Sequence, residues 1–144
     1  MGHVSDILDG KGRDVLGIEG SATVHEAVAR MVQGNVGALL VYENGTLAGI
    51  VTERDYLRRV AVQGRDERTT PVREIMTREL VYVGPEASID ECMAVMTERR
   101  IRHLPVLGDA RDVLGIVSIG DLVKYRMERI EAEAEAMRAY IQSA

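Results

Sequence analysis

Gly49-Ile50-Val51-Thr52-Glu53-Arg54-Asp55 and Gly115-Ile116-Val117-Ser118-Ile119-Gly120-Asp121 are two versions of one pattern. Each has a short apolar run, a hydroxyl residue, and a carboxylate three positions later. A pattern that recurs at half the chain length governs the architecture, because each copy becomes one structural unit. It also places the same polar pair at two related positions.

The similarity spreads outward from these runs. Thr23-Val24-His25-Glu26-Ala27 matches Ser88-Ile89-Asp90-Glu91-Cys92, 65 residues later. At the same offset Ala29 meets Ala94, Met31 meets Met96, Leu39 meets Leu104 and Val41 meets Val106. One extra residue between positions 41 and 49 changes the offset to 66, which brings Gly49, Ile50, Val51 and Asp55 onto Gly115, Ile116, Val117 and Asp121.

The chain has 144 residues, suited to one compact domain or two tightly paired small ones. A single copy of about 60 residues buries only a marginal core, so the copies are expected to fold together. Trp and Phe are absent, which makes the core aliphatic. A net charge of −5 supplies no basic face for nucleic acid, although local Arg clusters leave an anionic small ligand open. The one cysteine, Cys92, excludes an internal disulfide and fits a reducing cytoplasm. The first residues lack a signal-peptide pattern. No apolar run approaches the roughly 18–20 residues of a membrane span.

Along the chain, 4–9 reads as a short helical turn and 14–18 as a strand. Residues 23–33 carry helical spacing, with Thr23 and Glu26 forming a capping box. Strands are expected over 37–42 and 47–52 around an Asn44-Gly45 turn, followed by a helix over 54–63. The second copy repeats the order: a short helix over 72–76, strands over 80–83, 101–107 and 113–118, and a helix over 87–99. The polar stretch 64–70 is the expected linker. The units are thus 1–63 and 72–126, joined by 64–71, with a helical extension over 127–144.

The last helix is expected to start near Gly120 and run to about Gln142. Val123, Met127, Ile130, Ala134, Met137 and Ile141 recur at spacings of 4, 3, 4, 3 and 4, an a/d-type seam. Such a seam packs on its own domain or pairs with a second copy. Its narrowness and charged flanks favour pairing.

The hydroxyl–carboxylate pair admits two readings. An Asp in the first turn of a helix caps it and complements its dipole. The same geometry lets a carboxylate accept the two hydroxyls of a ribose while helix-terminal amides face a phosphate. Duplication at matched positions favours a ligand role.

The chain resembles a tandem pair of cystathionine-β-synthase (CBS) domains, a Bateman module, of the free-standing bacterial kind. The resemblance covers residues 4–126. It rests on the two Gly-Ile-Val-[Ser/Thr]-x-x-Asp runs, on Arg102-His103-Leu104-Pro105-Val106, and on Ile75-Met76-Thr77. It implies an α+β fold of two pseudo-twofold-related units, each a small three-stranded sheet with helices, here followed by a long C-terminal helix. It also implies two clefts that bind adenosine-containing ligands: AMP first, with ADP, ATP, S-adenosylmethionine and NAD as alternatives.

Carried over residue by residue, the resemblance assigns one cleft to Ser118 and Asp121 with Val36, Gly37, Ala38 and Lys11-Gly12-Arg13. The other takes Thr52, Arg54 and Asp55 with Thr77, Ile101, Arg102 and His103. Adenine is expected against Ile50 or Ile116, the ribose on Asp55 or Asp121, and phosphates near Lys11, Arg54, Arg100, Arg102 or His103. The strand entrances differ, Gly37-Ala38 against Arg102-His103, so unequal ligands or affinities are expected.

Cys92 aligns with Ala27 and reads as a small core residue. His25 reads as exposed. His103 reads as a packed histidine or, given Arg99, Arg100 and Arg102 beside it, an anion contact. The three histidines are too scattered for a metal site, and no nucleophile–base pair is evident. The expected function is therefore a regulatory, non-enzymatic nucleotide-binding module. It is expected to be a cytoplasmic homodimer acting on an unidentified regulated protein, without nucleic acid or membrane. The alternative is a non-ligand-binding dimerisation protein that works through its C-terminal helix.

Overall fold

The computed structural model describes residues 2–143. Its helices are α1 (Val4–Lys11), α2 (Val24–Gly34), α3 (Glu53–Tyr56), α4 (Ile89–Arg99) and α5 (Ile119–Ser143). Its strands are β1 (Gly17–Glu19), β2 (Ala38–Glu43), β3 (Thr46–Thr52), β4 (His103–Leu107) and β5 (Val113–Ser118). The class is α+β, as expected.

Two compact units form. One is Asp14–Leu80; the other combines the chain through Arg13 with everything from Val81 onward. These packing units cut the chain differently from the repeat, whose edges at 63 and 72 mark similarity of sequence. The reason lies in two short apolar segments. Val4, Ile7 and Leu8 of α1 are buried with Ile89, Cys92, Met96, Leu104, Val106, Val117 and Leu122. Val72, Ile75 and Met76 are buried with Ile18, Val24, Ala27, Met31, Leu39, Val41 and Val51. Each segment lies against a motif glycine. A Cβ on Gly49 would stand 3.2 Å from Met76 Sδ, and one on Gly115 would stand 2.6 Å from Leu8 Cδ2.

In the Asp14–Leu80 unit the sheet order is β1-β2-β3, with β1 parallel and β3 antiparallel to β2. Asn44 and Gly45 both hold positive φ, 53° and 77°, which the tight hairpin needs. Thr23 Oγ1 accepts from Glu26 N at 3.1 Å and starts α2 where the capping pattern places it. The helix expected over 54–63 is α-helical only through Tyr56, and Leu57–Ala61 forms a π-helical turn. From this turn Arg59 donates to the carbonyls of Ile75 and Met76 at 3.0 and 3.1 Å.

The second unit departs from the expected three strands. β4 and β5 pair, but 80–83 yields a single parallel bridge, Val83 to Val106. Proline explains the loss. In the first unit Leu40 N donates to Leu16 O and Gly20 N to Tyr42 O, flanking the Ile18–Val41 pair. Their counterparts 65 residues on are Pro105 and Pro85, which have no N–H to donate. One pair survives between two missing ladder bonds.

The polar linker is held in place. Val24 N donates to Thr70 O and His25 N to Glu67 O, both at 2.9 Å. Tyr56 Oη reaches Glu67 Oε2 at 2.7 Å, and His25 Nδ1 lies 3.2 Å from Glu67 Oε1. His25 is therefore half-buried and partnered, not exposed as its sequence position suggests. Among the described residues no helix is long and apolar enough to cross a membrane.

Candidate functional site

Each motif ends a strand and opens a helix, and the local chemistry explains why. Thr52 leaves β3 in an extended conformation (φ −125°, ψ 166°) and becomes the N-cap of α3. Its Oγ1 accepts from Asp55 N at 3.3 Å, and its own N–H donates to Asp55 Oδ2 at 3.0 Å. Ser118 and Asp121 repeat the exchange at the start of α5. Asp121 N donates to Ser118 Oγ at 3.1 Å, and Ser118 N to Asp121 Oδ2 at 2.9 Å. Both carboxylates thus serve as reciprocal caps.

Their remaining partners differ. Asp55 is buried, and Thr77 Oγ1 donates to its Oδ1 at 3.1 Å. Thr77 is set there by the backbone: its N–H donates to Ile50 O at 2.8 Å and its carbonyl accepts from Ile50 N at 3.0 Å. Glycine at 49 permits this approach, because a Cβ there would meet Thr77 O at 2.5 Å. Asp121 is half-buried and meets a cation instead. Lys11 Nζ lies 2.7 Å from its Oδ2 and also donates to Ile116 O at 3.1 Å. Burial works to raise the Asp121 pKa. The Lys11 ammonium and the Ser118 N–H and hydroxyl outweigh it, holding the carboxyl below its ordinary value.

The structure therefore gathers Ile50, Thr52, Asp55 and Thr77 in one unit, and Lys11, Ile116, Ser118 and Asp121 in the other. The strand entrances lie beside the motif of their own copy. Ala38 pairs with Thr52, and Glu53 N donates to Gly37 O at 3.1 Å. His103 pairs with Ser118, and Ile119 N donates to Arg102 O at 2.9 Å. Val36 and Gly37 also line a groove of about 510 Å³ together with Met31, Tyr56 and Leu57. Gly12, Arg54, Arg100 and Arg102 are exposed, while Ile101 and His103 are half-buried. Arg100 closes α4 in the left-handed region (φ 56°), where its counterpart Asn35 sits at φ 52°.

Sequence reading overlooked Arg59, which braces the two residues before Thr77. The only available signal was its place on a helix expected to continue regularly. Cys92 is fully buried in the core, and burial, with Glu91 nearby, pushes its thiol up to about 11. Among the described residues no group of three or more His, Cys, Asp or Glu is placed to hold a metal ion.

A family model described as "CBS domain" matches residues 4–62 and 72–128. The chain is 44% identical to the Arabidopsis thaliana CBS domain-containing protein CBSX3, mitochondrial, over 96% of this chain and 71% of that protein. It is 38% identical to the CBS domain-containing protein YhcV of Bacillus subtilis, over 90% of this chain and 91% of that one. A solved structure of a protein with CBS domains from Burkholderia ambifaria MC40-6 superposes with a TM-score of 0.85 at 47% identity, covering 88% of this chain and 95% of that one. Two matched copies, two sheet-to-helix motifs and near full-length relatives agree: the chain belongs to the CBS-domain family, as a tandem pair.

Proposed function

We propose that this CBS pair is a regulatory sensor of adenine nucleotides and not an enzyme. Tandem CBS domains are regulatory modules in many proteins, and they commonly bind adenine nucleotides. AMP is the ligand assigned first, with ADP, ATP and NAD as alternatives. The observation that carries the reading is the duplicated cap. In both units a strand-ending hydroxyl and a carboxylate three residues on stand beside the first amides of a helix.

Capping does not exhaust these carboxylates. An ionised carboxylate offers about four acceptor positions. Both bonds that Asp121 draws from Lys11 and Ser118 N fall on Oδ2. Asp121 and Asp55 are assigned the two ribose hydroxyl pairs. Ile116 and Ile50 flank adenine, Ser118, Thr52 and Thr77 support the sugar end, and Lys11, with Gly12 beside it, Arg54, Arg100, Arg102 and His103 meet phosphate. Val36, Gly37, Ala38 and Ile101 supply backbone and apolar contact. Lys11 beside Asp121 and a neutral hydroxyl beside Asp55 make the two sites unequal.

Occupancy would reach a regulated protein or a second copy through α5, which begins two residues before Asp121. The cytoplasm is the proposed setting.

Thermal unfolding with each nucleotide tests the proposal. A site filled at 100 times its dissociation constant adds about 2.7 kcal/mol. Wild-type protein is expected to gain melting temperature with at least one adenine nucleotide, with Asp55→Ala and Asp121→Ala losing different parts of the gain. No shift with any of AMP, ADP, ATP or NAD at millimolar concentration would leave the dimerisation reading in its place.

A further inference from the structure

Leu122 is the one fully buried residue of α5, and Ile119 and Tyr125 pack partly buried against the same core, while Val123, Met127, Ile130, Met137 and Ile141 are between 43% and 65% exposed and Ala134 is exposed with them. These six positions form a single stripe about 27 Å long at 1.5 Å per residue. Met127, Ala134 and Ile141 take the a positions of a heptad, and Val123, Ile130 and Met137 the d positions. An exposed apolar stripe of this length on one helix calls for an occupant.

The charges beside the stripe identify it. With that register, e positions hold Lys124, Glu131 and Arg138, and g positions hold Arg126, Glu133 and Tyr140. In a parallel pair, a g residue faces the e residue five positions later on the other helix. Arg126 then faces Glu131, and Glu133 faces Arg138, each pair occurring twice. In an antiparallel pair, e faces e and g faces g. Lys124 then meets Arg138, while Glu131 and Glu133 each meet themselves. One orientation gathers opposite charges and the other gathers like ones.

We propose that α5 pairs with α5 of a second copy of this chain, in parallel and in register, along Val123–Ile141. This gives the homodimer expected from the sequence a surface and a direction, and it stands without any nucleotide. Arg126 also reaches Asp90 of α4 within its own unit, so the Glu133–Arg138 pair is the discriminating contact.

The test uses the full chain without nucleotide, so its outcome is separate from that of the ligand titrations. Sedimentation equilibrium at tens of micromolar is expected to show a dimer, and Ile130→Asp a monomer. Met137→Cys is expected to crosslink under mild oxidation, because d positions of a parallel pair face each other. Wild type serves as the control, since Cys92 is buried. Glu133→Arg and Arg138→Glu are each expected to weaken the dimer at least tenfold, and the double variant to recover most of the loss. A monomeric wild type, a dimer indifferent to Ile130→Asp, or no crosslink from Met137→Cys overturns the proposal.

Discussion

Lys11 and Asp121 stand 2.7 Å apart, Nζ to Oδ2, across 110 residues of sequence. The matching carboxylate, Asp55, meets the Thr77 hydroxyl at 3.1 Å instead. One copy of the motif carries a cation on its carboxylate and the other a neutral donor. This asymmetry governs how each half should respond to pH and mutation.

The Asp121 carboxyl is held below its ordinary value of 3.8. A depressed acid contributes stability above its unfolded pKa and loses it as pH falls through the folded one. Lys11→Met is therefore expected to lower the melting temperature at pH 7 and to approach wild type below about pH 4. Both side chains remain partly exposed, so the loss at pH 7 should stay near or below about 1 kcal/mol. Melting curves from pH 3 to 7 check this, and a constant gap across the range would contradict it.

Gly49→Ala should strike both stability and the site. Its new Cβ would lie 2.5 Å from the Thr77 carbonyl, and backbone can yield only by moving. A cost of about 1–3 kcal/mol is expected, with Thr77 displaced from Asp55. Denaturant unfolding measures the first. Hydrogen exchange reports the second, as faster loss of protection at the Ile50 and Thr77 amides in the variant than in wild type.

Arg100→Gly tests whether a backbone cost is kept for a purpose. Arginine holds the left-handed cap of α4 at φ 56°, a conformation glycine adopts without penalty. Release of the left-handed strain is expected to add about 1–2 kcal/mol, less what the Arg100 side chain's own interaction contributes. Nucleotide titration of the same variant is expected to show weaker phosphate-dependent binding. A gain in stability with unchanged affinity would assign Arg100 no role in the site.

Truncating Leu8 should unfold more than its short helix. Leu8 is fully buried beneath Gly115, and Leu8→Ala is expected to cost about 2–5 kcal/mol. The thiol of Cys92, raised to about 11 by burial, supplies an independent readout. At pH 8 it should react with iodoacetamide only as the second core opens, and faster in Leu8→Ala than in wild type.

The repeat, the order of elements, the starts of α2, α4 and α5, and the Asn44-Gly45 turn were all legible in the sequence. They depend on contacts within a few residues, such as Thr23 Oγ1 with Glu26 N and Ser118 with Asp121. Even the missing third strand was written there, since Pro85 and Pro105 stand where ladder donors are needed, although its meaning emerges only beside the intact Leu16–Leu40 and Gly20–Tyr42 bonds. What tertiary structure alone decided is which distant groups meet: Leu8 on Gly115, Arg59 on the Ile75 and Met76 carbonyls, Thr77 on Asp55 and Lys11 on Asp121. Sequence periodicity records which face of an element is apolar. It does not record which remote segment fills that face, because that choice is made by the shape and volume of the whole core.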